Sequence, residues 1–177
     1  DGPEPLIFAE WLRQLTLEMY QPQLGELSDF IGDYNPAFLS SVLANEMGQR
    51  RWCESAPSGN ASPCRERIQG ALRVALDRLK HAYGDDMAGW SWGKAHVASW
   101  THQPFGGVPL VSSILNVKAS SAGGHDTVNV SSYIYDDRSG MYEGVSAPSF
   151  RAIYDLADPE KSVFMLAPGE SGHPFSR

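Results

Sequence analysis

The stretch SPCRERIQGALRVALDRLKHAYG, residues 62–84, decides how the chain is read. Ile68, Leu72, Ala75, Leu76, Leu79 and Tyr83 form a stripe at helical spacing, so one face of a long helix is apolar. Ser62 suits its N-cap, Pro63 its first turn and Gly84 its stop. Beyond Gly84 the period changes. Ala95–Thr101, Thr127–Tyr135, Phe150–Leu156 and Ser162–Leu166 are short runs rich in Val, Ile, Thr, Tyr and Phe, separated by Gly, Pro, Asp and Ser clusters, and they predict strands.

Working back towards the N-terminus, Ile7, Phe8, Trp11, Leu12, Leu15 and Met19 predict a helix over Leu6–Tyr20, with Pro5 and Pro22 as its boundaries. A further helix is predicted from Pro36 to about Met47, with Phe38, Leu39, Val42 and Leu43 inward and Gly48 as the stop. Between Gln103 and Asp126 lies a connection too long for a plain turn, expected to be a functional excursion or a mobile flap. These patterns predict one α+β unit over residues 1–177. Its mainly helical part, 6–84, packs as a layer on a mostly antiparallel sheet drawn from 90–177.

The bulk composition excludes several classes of function. The formal charge is −7 and no basic run reaches five residues, so the attraction that drives phosphate binding is missing and nucleic acid is not expected as a partner. No stretch approaches the roughly 20 apolar residues of a membrane span, and no basic segment followed by an apolar block opens the chain. Five Trp, seven Phe and seven Tyr in 177 residues mark a chain that folds. A start at Asp1-Gly2-Pro3 and an end at Arg177 are what proteolysis of a precursor would leave.

Cys53 and Cys64 flank a segment rich in turn formers, which predicts a disulfide; two reduced thiols are the alternative. By the chain-entropy model such a bridge stabilises by roughly 2 to 3 kcal/mol and suits an oxidising, periplasmic or secreted setting. Two sulfurs without a nearby Cys or His pair do not fill a zinc site.

His96 and His102 on one extended strand would lie about 20 Å apart, too far for one ion unless the strand bends. Arg151 and Asp155 share a strand face but stand about 13 Å apart, so each needs its own partner, and both are candidates for structural ion pairs. Asn129, with Thr127 and Ser131 on its face, is the polar residue expected to line a cleft; the alternative is a sheet face covered by a missing segment. Gly169-Glu170-Ser171-Gly172-His173 differs from a nucleophile elbow in its fifth position and leaves no room for the elbow's helix, so Ser171 is read as a loop serine.

The block Trp90-Ser91-Trp92-Gly93-Lys94-Ala95-His96, then His102 and Pro104-Phe105-Gly106, resembles the penicillin acylase family. So do Trp52-Cys53, Tyr83-Gly84, Asp126-Thr127-Val128-Asn129, Phe150-Arg151, Asp155-Leu156-Ala157-Asp158 and the ending Pro168 to Ser176, all in the family's order. The resemblance covers Leu6 to Arg177. It implies a partial domain: a portion of the αββα sandwich of N-terminal-nucleophile hydrolases, from the C-terminal part of the large subunit.

Members hydrolyse amides with an N-terminal Ser, Cys or Thr freed by self-cleavage. Asp1 offers no such group, and the family's nucleophile and oxyanion donors lie several hundred residues upstream. The resemblance therefore implies no catalytic, cofactor-binding or metal-ligating residue here, and an inert chain when alone. Its partners would be the small subunit and the N-terminal part of the large one, with homodimers of the fragment covering orphaned apolar faces. His96 and His102 are each read as packed or hydrogen-bonded histidines; the alternative is that His96, beside the Trp pair, reaches the parent's cleft. Glu170 stands where many relatives have Gln, and a further family segment that would follow is absent. A free-standing binding or structural module is the alternative; a serine or metal hydrolase in its own right is the weakest reading.

Overall fold

A computed structural model describes residues 2–30, 35–45, 52–54 and 64–166, and the chain divides into two units, residues 1–92 and 93–177. The first unit holds helices α1 (Pro3–Leu24), α2 (Pro36–Ala44) and α3 (Cys64–Tyr83). Its core gathers Leu15 and Met19 of α1, Leu39 and Val42 of α2, Ala71 of α3 and Cys53. Trp11 adds a directed contact, its Nε1–H donating to the Ile68 carbonyl at 3.1 Å and so tying α1 to α3.

Helix α1 does not stop at Tyr20. It passes through Pro22 and ends only at Leu24. Proline has no N–H, so the Glu18 carbonyl four residues earlier loses its helical donor. A side chain from α3 supplies the replacement: Arg67 Nη1 donates to the Glu18 carbonyl at 3.3 Å and to Glu18 Oε1 at 3.2 Å, while its Nε donates to the Cys53 carbonyl at 2.9 Å. The arginine is buried, as a guanidinium can be when its donors are occupied.

The buried face of α1 also differs from the expected stripe. Leu15 and Met19 are inside, but Phe8 is half exposed. Glu10 is buried instead. Its Oε1 accepts from Gln14, Arg13 and Arg78, the last from α3 at 2.9 Å. Helix α2 begins where Asn35 Oδ1 caps the Phe38 N–H and ends at Ala44, with Asn45 in a left-handed conformation. Helix α3 stops at Gly84, whose φ of +88° suits glycine. Met47, Gly48, Ser62 and Pro63 lie outside the described residues. Cys53 and Cys64 form a disulfide with Cα atoms 4.9 Å apart, joining the Trp52–Glu54 turn to the start of α3.

A short helix, α4 (Trp92–Ala95), begins at the last residue of the first unit, and the second unit holds strands β1 (His96–Trp100), β2 (Val117–Ser120), β3 (Ser132–Asp136) and β4 (Met141–Ser146) in one sheet of order β2-β1-β4-β3. A separate ribbon pairs β5 (Phe150–Ile153) with β6 (Val163–Leu166). Three of the four pairings are antiparallel and β1 with β4 is parallel. The class is α+β, with a mixed sheet.

The connection after Gln103 carries elements of its own. It contains a 3-10 turn at Phe105–Gly107 and a short helix, α5 (Ser112–Leu115), and it returns as β2 along β1. Asn116 staples it, accepting from the His102 N–H and donating to the Gly106 carbonyl, each at 3.0 Å. Asp136 closes the β3–β4 hairpin through the Arg138 and Ser139 N–H groups. Hydrogen bonds, first that with the Ser139 side chain, hold its carboxyl below the usual carboxylate range.

Replacing Arg67 by Met should cost about 3 kcal/mol, the loss of three hydrogen bonds from a charged donor, of which that to the Cys53 carbonyl is buried. In a Pro22→Ala background the restored N–H serves the Glu18 carbonyl, so the same replacement should cost about 1 kcal/mol less. Denaturant unfolding of the four variants measures this coupling, and additive costs would show that Arg67 does not stand in for the missing donor.

Candidate functional site

The polar chemistry of the second unit is concentrated where β1 meets the segment between β2 and β3. His96, the first residue of β1, is wholly buried, and Tyr133 meets its ring edge to face at 5.3 Å. Its Nε2 lies 3.4 Å from Ser131 Oγ, which in turn shares a 2.9 Å hydrogen bond with Ser121 Oγ. Ser131 is buried as well. Two hydroxyls and an imidazole therefore tie the end of β2, the start of β3 and β1 together.

Burial disfavours the imidazolium and lowers the His96 pKa, with the His125 charge acting the same way and a backbone contact with Ser121 opposing it. The ring is neutral at pH 7. A neutral histidine beside a serine is half of a nucleophilic pair, but Ser131 is 1% exposed and its hydroxyl is shared with Ser121, so it is held rather than presented. The cluster braces the sheet.

Between Ser121 and Ser131 the chain is a bonded loop rather than the strand expected over Thr127–Tyr135. Strand β3 begins only at Ser132. Thr127 Oγ1 donates to the Asn129 carbonyl at 2.8 Å and accepts from the Gly124 N–H at 2.9 Å, and an isolated bridge links Gly124 with Val130. Gly123 takes φ +92°, and a Cβ there would collide with the Asn129 carbonyl. Asn129 turns its amide both ways: Nδ2 donates to the Ala122 carbonyl and Oδ1 accepts from Arg151 Nη2, each at 2.7 Å.

Arg151 on β5 thus finds an amide partner. Asp155 finds backbone partners, its Oδ1 accepting from the Ala157 and Asp158 N–H groups at 2.9 and 3.1 Å. Among the described residues neither makes an ion pair, because a neutral amide and a turn supply the hydrogen bonds that a charged partner was expected to give. His102 stacks on Phe105 at 5.8 Å, in surroundings separate from those of His96. Among the described residues no group of three or more His, Cys, Asp and Glu side chains is placed to hold a metal ion.

A cleft of about 240 Å³ opens where β1 and β4 part beyond the Ala98–Gly144 pair. Ser99, Trp100, Ser131, Val145, Ser146 and Ser149 are among its walls, and no wall residue is charged. Neither His96 nor Asn129 is a wall residue. Sequence reading placed Ser131 on the Asn129 face but missed its bond to Ser121, which joins positions ten residues apart through a loop with no periodic signal. Residues 169–173, with Ser171, lie outside the described residues.

The penicillin amidase family profile matches residues 1–177. The chain is similar to the acyl-homoserine lactone acylase QuiP of Pseudomonas fluorescens (strain Pf0-1), with 25% identity over 175 residues, covering 97% of this chain and 20% of that protein. It is also 25% identical over 118 residues to the acyl-homoserine lactone acylase QuiP of Pseudomonas aeruginosa PAO1, covering 60% of this chain and 14% of the relative. The chain spans a fifth or less of the length of these curated relatives. No described helix is long and apolar enough to cross a membrane.

Two outcomes follow from the brace. Because the folded pKa of His96 lies below its ordinary 6.5, stability is full above that value. As pH falls through 6.5 the unfolded chain takes up the proton first and stability declines. Urea unfolding of the second unit between pH 8 and 5 should show this slope, and His96→Gln should flatten it; an unchanged slope would place the proton elsewhere. Gly123→Ala should destabilise by about 1 to 3 kcal/mol, since both its φ and its contact are unfavourable to a side chain.

Proposed function

The chain belongs to the penicillin amidase family, and we propose that it is the C-terminal part of the large subunit of an amide hydrolase that splits acyl groups from amines. One observation carries this reading: a match along nearly all of the chain that accounts for only a fifth of an acylase. Part of an enzyme is matched from end to end.

The chemistry of the described residues agrees with a supporting role. The family's reaction needs a terminal Ser, Cys or Thr whose own amine takes the proton, with donors aimed at the oxyanion. The described part of this chain offers a buried serine and a buried neutral histidine, both occupied as braces. The nucleophile therefore comes from the remainder of a self-cleaving precursor, and that remainder, small subunit and N-terminal part of the large one, is the partner. Residues 1–177 then form one partial domain of the parent. Asn129, held by Arg151 and the Ala122 carbonyl, is the residue we assign to the wall of the parent's cleft, with His96 fixing the strand behind it. The substrates are acylated amines, among which N-acyl-homoserine lactones fit the names of the relatives. The disulfide favours a periplasmic or secreted setting.

The purified chain alone should turn over neither N-acyl-homoserine lactones nor β-lactam side-chain amides, and product release followed by mass spectrometry reads this directly. The gene should continue upstream of Asp1 through several hundred codons with an internal Ser, Cys or Thr at a cleavage junction, and the whole product should be active. Turnover by the isolated chain, or a start codon close to Asp1, would overturn the assignment and leave a free-standing module.

A further inference from the structure

The β5–β6 ribbon is apolar on both faces. Its register pairs Phe150 with Leu166, Arg151 with Met165, Ala152 with Phe164 and Ile153 with Val163. Cross-strand partners share a face, so Phe150, Phe164 and Leu166 lie on one side, where the two Phe rings stack at 5.8 Å. Ile153, Val163 and Met165 lie on the other, with Arg151 reaching Asn129. Both sides are open: Phe164 is 61% exposed and Ile153 71%. Among the described residues neither strand pairs with a third.

An isolated two-stranded hairpin is marginal in water, and strands that read as continuous apolar runs are those covered on both faces. A second copy packing about a twofold axis would cover one face of each ribbon and leave the other wet. An occupant that clamps both faces must come from a larger body. The relatives supply the scale of one, since four-fifths or more of their length lies beyond the match. We propose that the β5–β6 ribbon is the docking element by which this chain is built into the rest of the family polypeptide, which lays apolar surface on each face and continues the sheet at its edges. This inference rests on the reading of the chain as the C-terminal part of a longer hydrolase.

The test compares the chain alone with the chain co-expressed with the polypeptide encoded upstream in the same frame. Association should slow amide exchange of residues 150–153 and 163–166 at least tenfold. Phe164→Asp and Ile153→Asp, one on each face, should each weaken association at least tenfold, while Val128→Asp, on the exposed loop, should leave it unchanged. Unaltered exchange in β1, β3 and β4 verifies that the variants are folded. Full association by either Asp variant would overturn the two-faced docking even though an upstream frame exists. So would self-association of the chain alone that protects both faces of the ribbon and is abolished by either Asp variant, since a second copy would then be the occupant. Absence of any upstream frame would remove the occupant, and would be recognised separately as failure of the reading beneath it.

Discussion

The first unit depends on the guanidinium of Arg67. Pro22 takes a donor away from the last turns of α1, leaving the Glu18 carbonyl without its helical partner. Arg67 reaches that carbonyl from the first turn of α3 and also holds the Cys53 carbonyl, three residues in sequence from the disulfide end of its own helix. Three segments are fixed by one side chain. Leu15 and Met19 of α1 pack with Leu39 and Val42 of α2 in the core of the same unit. In the second unit the chain from Ser121 through Ser131 to His96 has the same logic, because buried polar atoms are tolerated only when partnered and each partner fixes a further segment.

These interactions separate what the sequence makes legible from what it hides. The helical stripe ending at Gly84 and the runs around His96, Phe150 and Val163 are periodic signals, and the elements stand where those signals lie. Pro22 reads as a boundary because propensity is local, and the side chain that overrides it lies far along the chain. Strand β2, Val-Lys-Ala-Ser, carries no alternation, since all four of its side chains are exposed at a sheet edge. Strand β4 is hidden by Glu143 and Gly144, and only its pairing with β1 and β3 defines it. Thr127 to Ser131 has the composition of a strand, but Thr127 Oγ1 and the Asn129 amide satisfy the local backbone and turn it into a loop.

The candidate site was legible only in part, for a related reason. Arg151, Asn129 and His96 can each be picked out by residue type, but their partners are an amide, a carbonyl and a hydroxyl, which carry no pattern along a sequence. Arg151 shows the limit best. An arginine in an apolar strand invites a carboxylate partner, and the amide of Asn129 from a loop 22 residues away occupies that place.

Polar satisfaction and apolar coverage make different demands on a partner. A hydrogen bond needs its acceptor within a few tenths of an ångström, so Arg67, Glu10, His96 and Ser131 are buried only where their partners are at hand, and all find them within this chain. Hydrophobic burial is non-directional, scales with area, and accepts a covering surface from any source. A segment designed to stand inside a larger body can therefore be complete in its buried polar bonds and incomplete in its apolar cover. The chain divides along that line: the buried Arg67, Glu10, Ser131 and His96 find partners within it, while the ribbon of Phe150, Ile153, Phe164 and Met165 keeps both faces to solvent. That asymmetry agrees with the proposed reading of the chain as a structural part of a larger enzyme, since an enzyme reduced in size would have its open surface at a reacting centre rather than on a two-sided ribbon.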